Sequence, residues 1–372
     1  VTAMTRIALV GSGKVGSTIC ELLLDSGDYD ITLIDASEER LEHVPAGKGL
    51  DKLQLDVTDN KALAGALADH FAVLCAGPFQ LTPGVAETAR DLGIHYLDLT
   101  EDIASTRRVW ELAEAADSVF IPQCGLAPGF ISIVANWLCE KFDELDSVRL
   151  RVGALPRYPT NSLHYNLTWS TEGLINEYCE QCEGIMDGKP ITMPALTQRK
   201  VFSLDGTRYE SFNTSGGLGS LADTLAGRVN SLSYQTIRYP GHLDIMRTLL
   251  HDLRLSQRRD VLKDILEYAI PATFQDVALI FATVSGMRDG QLQQETYVNK
   301  VYGRAEEGAQ RSAIQLTTAS AICVMLDLLV EGRLPGSGLV RQEQVALEDF
   351  LANRFGRIFV PESAHDYAFS EE

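Results

Sequence analysis

Residues Gly11-Ser12-Gly13-Lys14-Val15-Gly16 form a G-x-G-x-x-G string directly after the apolar run Arg6–Val10. The string alone is common. Between a strand and a helix it becomes a dinucleotide-binding turn. The first glycine permits the tight turn, the second lets backbone approach a pyrophosphate, and the third lets helix and strand pack closely. Backbone N–H groups at the start of the helix then face the anion. Residues 14–26 supply that helix, with Val15, Ile19, Leu22 and Leu23 on one side.

The next 100 residues repeat the alternation. Strands are expected at 29–35, 53–57, 71–75, 95–99 and 118–122, and helices at 61–69, 85–92 and 103–116. Strands alternating with helices predict a doubly wound parallel sheet, a Rossmann domain. After Pro128 the pattern changes to longer, alternating strands at 147–155, 199–212, 233–239, 277–285 and 293–301. Asp205-Gly206 and Asp289-Gly290 signal hairpins among them. Helices are expected at 130–142, 242–255, 258–269, 312–330 and 345–354. The fold class is therefore α/β: a Rossmann parallel sheet plus an α+β catalytic domain with a mainly antiparallel sheet. The expected domains are 1–127, 128–330 and a C-terminal segment, 331–372, returning to the first.

Asp35 ends the second strand, and a carboxylate there accepts hydrogen bonds from ribose hydroxyls while repelling a 2′-phosphate. No arginine follows directly (Ala36-Ser37-Glu38). The expected cofactor is NAD rather than NADP. Asp56 and Val57 are placed beside adenine, and Ala76, Gly77 and Pro78 beside the nicotinamide ribose. Cys124, after the sixth strand, is expected near the cofactor as a wall rather than a nucleophile.

Charge narrows the partners. The 372 residues hold 51 acidic and 32 basic side chains, a net charge of −19. Such a chain repels nucleic acid and anionic membrane. No run is read as approaching the ~18 apolar residues of a membrane span. Val1 to Met4 lead straight into the first strand without a basic region, so no secretory signal is expected. Seven scattered cysteines suit a reducing cytoplasm. Cys179-Glu-Gln-Cys182 has no second pair or histidine at zinc-finger spacing, so neither metal nor redox work is assigned to it.

Several strings together resemble the saccharopine dehydrogenase-like superfamily along nearly the whole chain. They are Gly11–Gly16, Cys75–Phe79, Gly93–Asp102, Cys124–Gly129 and Ile237–His242. Through His95–Asp102, Tyr165–Glu172 and Arg238–His242 the chain is most similar to the lysine 6-dehydrogenase branch. The resemblance implies NAD-dependent oxidative deamination of the lysine side-chain amine. Saccharopine reductases carry Asp where this chain has Ala127, and Ser-Tyr where it has Thr100-Glu101, which argues against the two-headed substrate.

Such chemistry makes demands on residues. Asp98, Thr100, Glu101 and Asp102 lie at the carboxyl end of the fifth strand, where α/β sheets bind ligands. They are candidates for holding an ammonium, although Thr100 or Asp102 could instead cap the following helix. Arg238 is the candidate clamp for the α-carboxylate. Tyr165, Asn166 and Trp169 are candidate pocket walls. A base must deprotonate the amine, whose pKa is ~10.4. His242 and Glu101 compete for that role. The alternatives are saccharopine or carboxynorspermidine formation, or a non-catalytic NAD sensor. A homodimer or homotetramer is expected, with no metal.

Overall fold

The computed structural model describes residues 4–306 and 309–361. Residues 1–3 precede Met4, and the last part of the expected returning segment is 362–372. Both stretches lie outside the described residues.

In chain order the first elements are β1 (Thr5–Val10), α1 (Lys14–Ser26), β2 (Tyr29–Asp35), α2 (Glu38–His43), β3 (Leu50–Gln54), α3 (Asn60–Leu67), β4 (Ala72–Cys75), α4 (Thr82–Leu92), β5 (His95–Asp98), α5 (Ile103–Glu114) and β6 (Val119–Ile121). Then come α6 (Phe130–Cys139), β7 (Glu144–Pro156), α7 (Thr171–Cys179), β8 (Cys182–Met186), β9 (Lys189–Met193), β10 (Lys200–Leu204), β11 (Thr207–Asn213), α8 (Leu221–Thr224), β12 (Val229–Arg238), α9 (His242–Arg247) and α10 (Arg259–Ala269). The last are β13 (Asp276–Arg288), β14 (Gln291–Tyr302), β15 (Arg304–Glu306), β16 (Ala309–Arg311), α11 (Ala313–Val330), β17 (Gly338–Leu339) and α12 (Leu347–Ala352).

The chain divides into two compact units. One comprises Val1–Phe130 and Thr318–Ile358, the other Ile131–Thr317 and the segment beginning at Phe359.

The first unit holds a seven-stranded sheet in the order β17-β6-β5-β4-β1-β2-β3. All its pairings are parallel. Every residue of β4 and nearly every residue of β2 is buried, as strands covered on both faces require. One core cluster on this sheet includes Ala8, Val10, Ile34, Val73, Tyr96 and Phe120. The chain returns after α11, and β17 pairs beside β6 (Gly338 with Val119, Leu339 with Phe120).

The second unit carries an eight-stranded sheet with the main order β10-β11-β12-β7-β13-β14, to which β8 and β9 attach at β12. It is mixed: β12 and β7 run parallel, and the other pairings are antiparallel. Asp205-Gly206 and Asp289-Gly290 turn the hairpins as expected. All four residues have positive φ (48°, 75°, 53° and 72°), the geometry that a two-residue hairpin turn demands.

Three expectations are corrected. The third strand is Leu50–Gln54, earlier than 53–57, and Val57 packs into the core from the following loop. The helix expected over 242–255 is α9 followed by a π turn at Thr248–Asp252 and a short 3-10 turn at Leu255–Gln257. α11 is long and apolar enough to cross a membrane by length and composition, and 83% of it is buried. That burial is the mark of a core helix. Asp327 within it accepts hydrogen bonds from Tyr29 and Arg354 of the same unit.

Candidate functional site

The glycine string folds as its spacing predicts. Gly11 has φ +99°, and a Cβ there would meet the Ala76 carbonyl at 2.8 Å. A Cβ on Gly16 would lie 1.9 Å from the Gly11 oxygen. At Gly13 a Cβ would meet nothing within 4 Å, so the backbone faces open space. Gly13 precedes α1 without a capping side chain. The first-turn N–H groups of Lys14 and Val15 therefore stand ready for an anion. These residues fit a dinucleotide pyrophosphate.

Asp35 ends β2 as placed. It accepts from the Ser12 amide at 2.8 Å, the Ser12 hydroxyl at 2.9 Å and the Ser37 amide at 2.9 Å. A residue the sequence reading missed joins it: Arg40, on α2, reaches back with Nη2 2.7 Å from Asp35 Oδ1. Burial pushes the carboxyl up, but hydrogen bonds from Arg40, Ser12 and Ser37 outweigh it and hold it at about 2. Asp35 stays charged. Arg40 stands five residues beyond Asp35, so the residues directly after the strand give no sign of it. Asp56 is exposed and accepts from the amide and hydroxyl of Thr58. Ala76 and Gly77 pack beside Gly11, while Pro78 is exposed.

The acidic turn after β5 is largely spent on the protein itself. Asp98 is fully buried. Its Oδ1 accepts from the Thr100 and Gln123 amides at 3.0 and 2.8 Å, and its Oδ2 from the Tyr96 hydroxyl at 2.9 Å. It ties β5 to the chain after β6. That corrects its expected role as an ammonium ligand. Asp102 caps α5 by accepting from the Ser105 amide at 2.7 Å, and the buried Thr100 hydroxyl accepts from the Asp102 amide. These are the capping roles weighed above. Glu101 is half-buried in the same turn. Cys124 has no exposed surface, donates its thiol to the Ile121 carbonyl and accepts from Gln342. Burial and the nearby Asp98 raise the thiol far above its usual range. It presents nothing to a cofactor, which corrects its placement.

The second unit gathers Arg238, Tyr178, His242 and Tyr165. Arg238 ends β12, and His242 opens α9 after the Tyr-Pro-Gly turn. Arg238 Nε donates to the Tyr178 hydroxyl at 3.0 Å, and that hydroxyl lies 3.0 Å from His242 Nε2. His242 Nδ1 lies 3.0 Å from the Leu163 carbonyl. A carbonyl only accepts, so Nδ1 carries the proton and Nε2 accepts from Tyr178. Burial and the Arg238 charge push His242 down to about 3. Its lone pair is occupied and its basicity is lost. This corrects its candidacy as general base: it is a neutral support for Tyr178. Tyr178, on α7, is the link that the sequence reading missed.

Arg238 is only 2% exposed. Its guanidinium lies over the rings of Tyr165 and Tyr178 at 5.2 and 5.9 Å, and Nη1 donates to the Ile237 carbonyl. Among the described residues it makes no ion pair with a carboxylate, and Nη2 has no hydrogen-bond partner. Asn166 donates to the Pro271 carbonyl, and its buried Oδ1 is without a partner among the described residues. Trp169 packs in the core cluster of α7, α9 and α10. Another missed residue, Glu210, lies opposite Arg238 in the β11–β12 register. Its fully buried carboxylate accepts from the Leu243 amide at 2.8 Å and from Arg199 at 2.8 Å, holding the first turn of α9. Cys179 and Cys182 are free thiols, and burial raises Cys182 to about 12.

A family model described as Saccharopine dehydrogenase NADP binding domain matches residues 7–120. One described as Saccharopine dehydrogenase C-terminal domain matches residues 125–357. The saccharopine dehydrogenase (NADP+, L-glutamate-forming) of Saccharomyces cerevisiae is 24% identical over 190 residues, 50% of this chain and 43% of that protein. The Pyricularia oryzae protein of the same description is 22% identical over 259 residues, 67% of this chain and 57% of that protein. The chain thus spans about half the length of these curated relatives. Among solved structures, apo saccharopine dehydrogenase (L-Glu forming) from Saccharomyces cerevisiae matches with TM-score 0.75 at 18% identity, covering 98% of both chains. Homospermidine synthase from Legionella pneumophila, in complex with NAD, matches with TM-score 0.65 at 12% identity, covering 96% of this chain and 90% of that one. At these identities the structural likeness is one of fold. The family models, which together take in most of the chain, show that it belongs to the saccharopine dehydrogenase family, with an NAD(P)-binding domain in its first unit.

Proposed function

We propose that this protein is an NAD-dependent amine dehydrogenase that oxidises the side-chain amine of L-lysine. The products are 2-aminoadipate 6-semialdehyde, which cyclises to a piperideine carboxylate, and ammonia. The observation that carries the reading is Arg238: a buried guanidinium near the Glu177 carboxylate but in no direct ion pair among the described residues, with its Nη2 edge unfilled. A buried cation is costly unless paired, and a substrate carboxylate would complete it bidentately. Tyr178 fixes its Nε edge, and His242 fixes Tyr178.

The residues divide the work. The Gly11–Gly16 turn receives the pyrophosphate, and Asp35, charged and exchanging its Arg40 and Ser12 hydrogen bonds for the ribose hydroxyls, favours NAD by repelling a 2′-phosphate. The dinucleotide, when bound, accepts the hydride. Glu101 takes the proton from the side-chain ammonium, because hydride leaves the neighbouring carbon only when nitrogen has a lone pair. Water then adds to the resulting iminium, and ammonia departs. Ala127 and Thr100-Glu101, in place of the residues of saccharopine reductases, favour a small dibasic substrate over saccharopine.

The names of the relatives support a second reading, a reductase that condenses an aldehyde with an amino acid. One assay separates the two. NADH formation is followed across lysine, ornithine, saccharopine and diamines, with ammonia and glutamate measured in parallel. Lysine turnover with equimolar ammonia is expected, and NAD is expected to exceed NADP at least about tenfold in kcat/KM. Turnover of saccharopine alone, with glutamate as co-product, would overturn the proposal.

A further inference from the structure

The second unit holds three cations that the proposed reaction does not use. Arg149 and Arg151 stand two residues apart on β7, so both side chains leave the same face of the sheet. The register sets Thr283 and Ser233 on either side of Arg149, and Phe281 and Gln235 on either side of Arg151. The β10–β11 hairpin curls over this face. Phe202 of β10 meets Phe281 of β13 with ring centroids 5.7 Å apart. Asp205, in the hairpin turn, pairs with Lys300 of β14 at 2.7 Å. Lys200, the first residue of the hairpin, joins the two arginines at its open end.

Arg151 is the centre of the group. Its guanidinium lies 5.3 Å from the centroids of both Phe202 and Phe281. Stacking on aromatic rings occupies the faces of a guanidinium and leaves its N–H edge for an acceptor. No acceptor is supplied: Arg151 Nε is enclosed without a hydrogen-bond partner among the described residues. Arg149, Arg151 and Lys200 make no ion pair with an aspartate or glutamate among those residues either. Acids outnumber bases 51 to 32 in this chain, yet these three bases stand together without one. Burial and the neighbouring Arg149 charge lower both Arg151 and Lys200 from their usual values. Like charges held this way destabilise the unliganded protein, and an anion bound among them reverses the sign.

We propose that Arg149, Arg151 and Lys200 form a binding site for a small multivalent oxyanion, a phosphate or carboxylate compound. The phenyl rings of Phe202 and Phe281 hold the Arg151 plane, and Arg149 and Lys200 add charge from either side. The site lies wholly in the second unit and does not depend on the lysine reading.

The test uses the full chain, with inorganic phosphate, pyrophosphate and citrate as probes. Binding is measured by titration calorimetry and thermal unfolding against sodium chloride at matched ionic strength. At least one probe is expected to bind and raise Tm. Arg151→Gln is expected to weaken that binding about tenfold or more, with Lys200→Gln doing so in part. Response to phosphates alone identifies a phosphate compound as the ligand class, and response to citrate alone a carboxylate; both support the site. Without added anion, Arg151→Met is expected to raise Tm, because it removes repulsion and keeps the packing. The proposal falls if no probe exceeds the salt control, or if Arg151→Gln leaves the affinity unchanged. It also falls if Arg238→Gln, rather than Arg151→Gln, abolishes binding. Loss of an oligomer in Arg151→Gln, with no small anion bound by the parent protein, would make this face a subunit contact and overturn it too.

Discussion

Arg238 and Asp98 are both buried charged side chains, and their surroundings assign them opposite work. Asp98 has three hydrogen-bond donors of its own protein, two of them backbone amides. Burial nevertheless lifts its carboxyl to about 6, against the downward pull of the Gln123 and Thr100 amides and the Tyr96 hydroxyl. A carboxyl whose folded pKa exceeds its unfolded 3.8 binds its proton more tightly in the native state. Its contribution to stability is therefore complete below about pH 4 and is lost as pH rises through about 6. The size is on the order of 2–3 kcal/mol. Urea midpoints of Asp98→Asn, measured from pH 4 to 7, should show a flatter acid-side dependence than the parent. Arg238 instead has an edge its own protein does not fill. Arg238→Lys keeps the charge and loses the planar fork. It should raise KM for lysine about tenfold or more while kcat changes only a few-fold, as steady-state kinetics would show. An unchanged KM would remove Arg238 from the substrate.

At the scale of elements, α9 is too short to hold itself. Its six residues begin at His242, and its first turn is tied down by Glu210 through the Leu243 amide. Glu210→Ala strands that amide and the Arg199 guanidinium. A loss on the order of 2–4 kcal/mol is expected in chemical denaturation. Glu210→Gln keeps an acceptor and should lose roughly half as much. Because α9 carries His242, which orients Tyr178 and so Arg238, the Gln variant should also raise KM for lysine several-fold with little change in kcat. A stability loss with KM untouched would make Glu210 structural alone.

Elements with a clear period were legible in the sequence. α1 and β2 occur at the expected residues because one has an apolar stripe and the other is rich in isoleucine and leucine. The third strand was displaced because Leu53, Leu55 and Val57 alternate, whereas the real edge strand is mostly exposed and only Leu53 of the three lies in it. α7 was missed because seven of its nine residues are buried, including Asn176 and Glu177, so no polar face marks it as a helix. The same limit governs the site. The glycine turn is local and could be read from spacing. The partners of His242, and Gln123 beside Asp98, come from distant segments, and burial, which decides whether a histidine is a base or a strut, has no local signature.

For the whole molecule, the net charge of −19 acts at a distance. Lysine carries a net positive charge, so the summed field should speed its arrival. kcat/KM for lysine is expected to fall about two- to fivefold between roughly 20 and 200 mM sodium chloride, with kcat nearly constant. A flat response would confine the useful charge to the site.

The pairing of β17 with β6 also bears on how the chain is made. β6 emerges early, but its outer neighbour is encoded roughly 200 residues later. At a ribosomal rate of about 5–20 residues per second, that edge waits on the order of 10–40 seconds for its partner. During vectorial synthesis the growing end of the nucleotide-binding sheet is thus an open template for a neighbouring nascent chain. A fragment stopped at Phe130 should be collected as aggregate, and supplying a peptide of residues 331–358 in trans should keep more of it in solution.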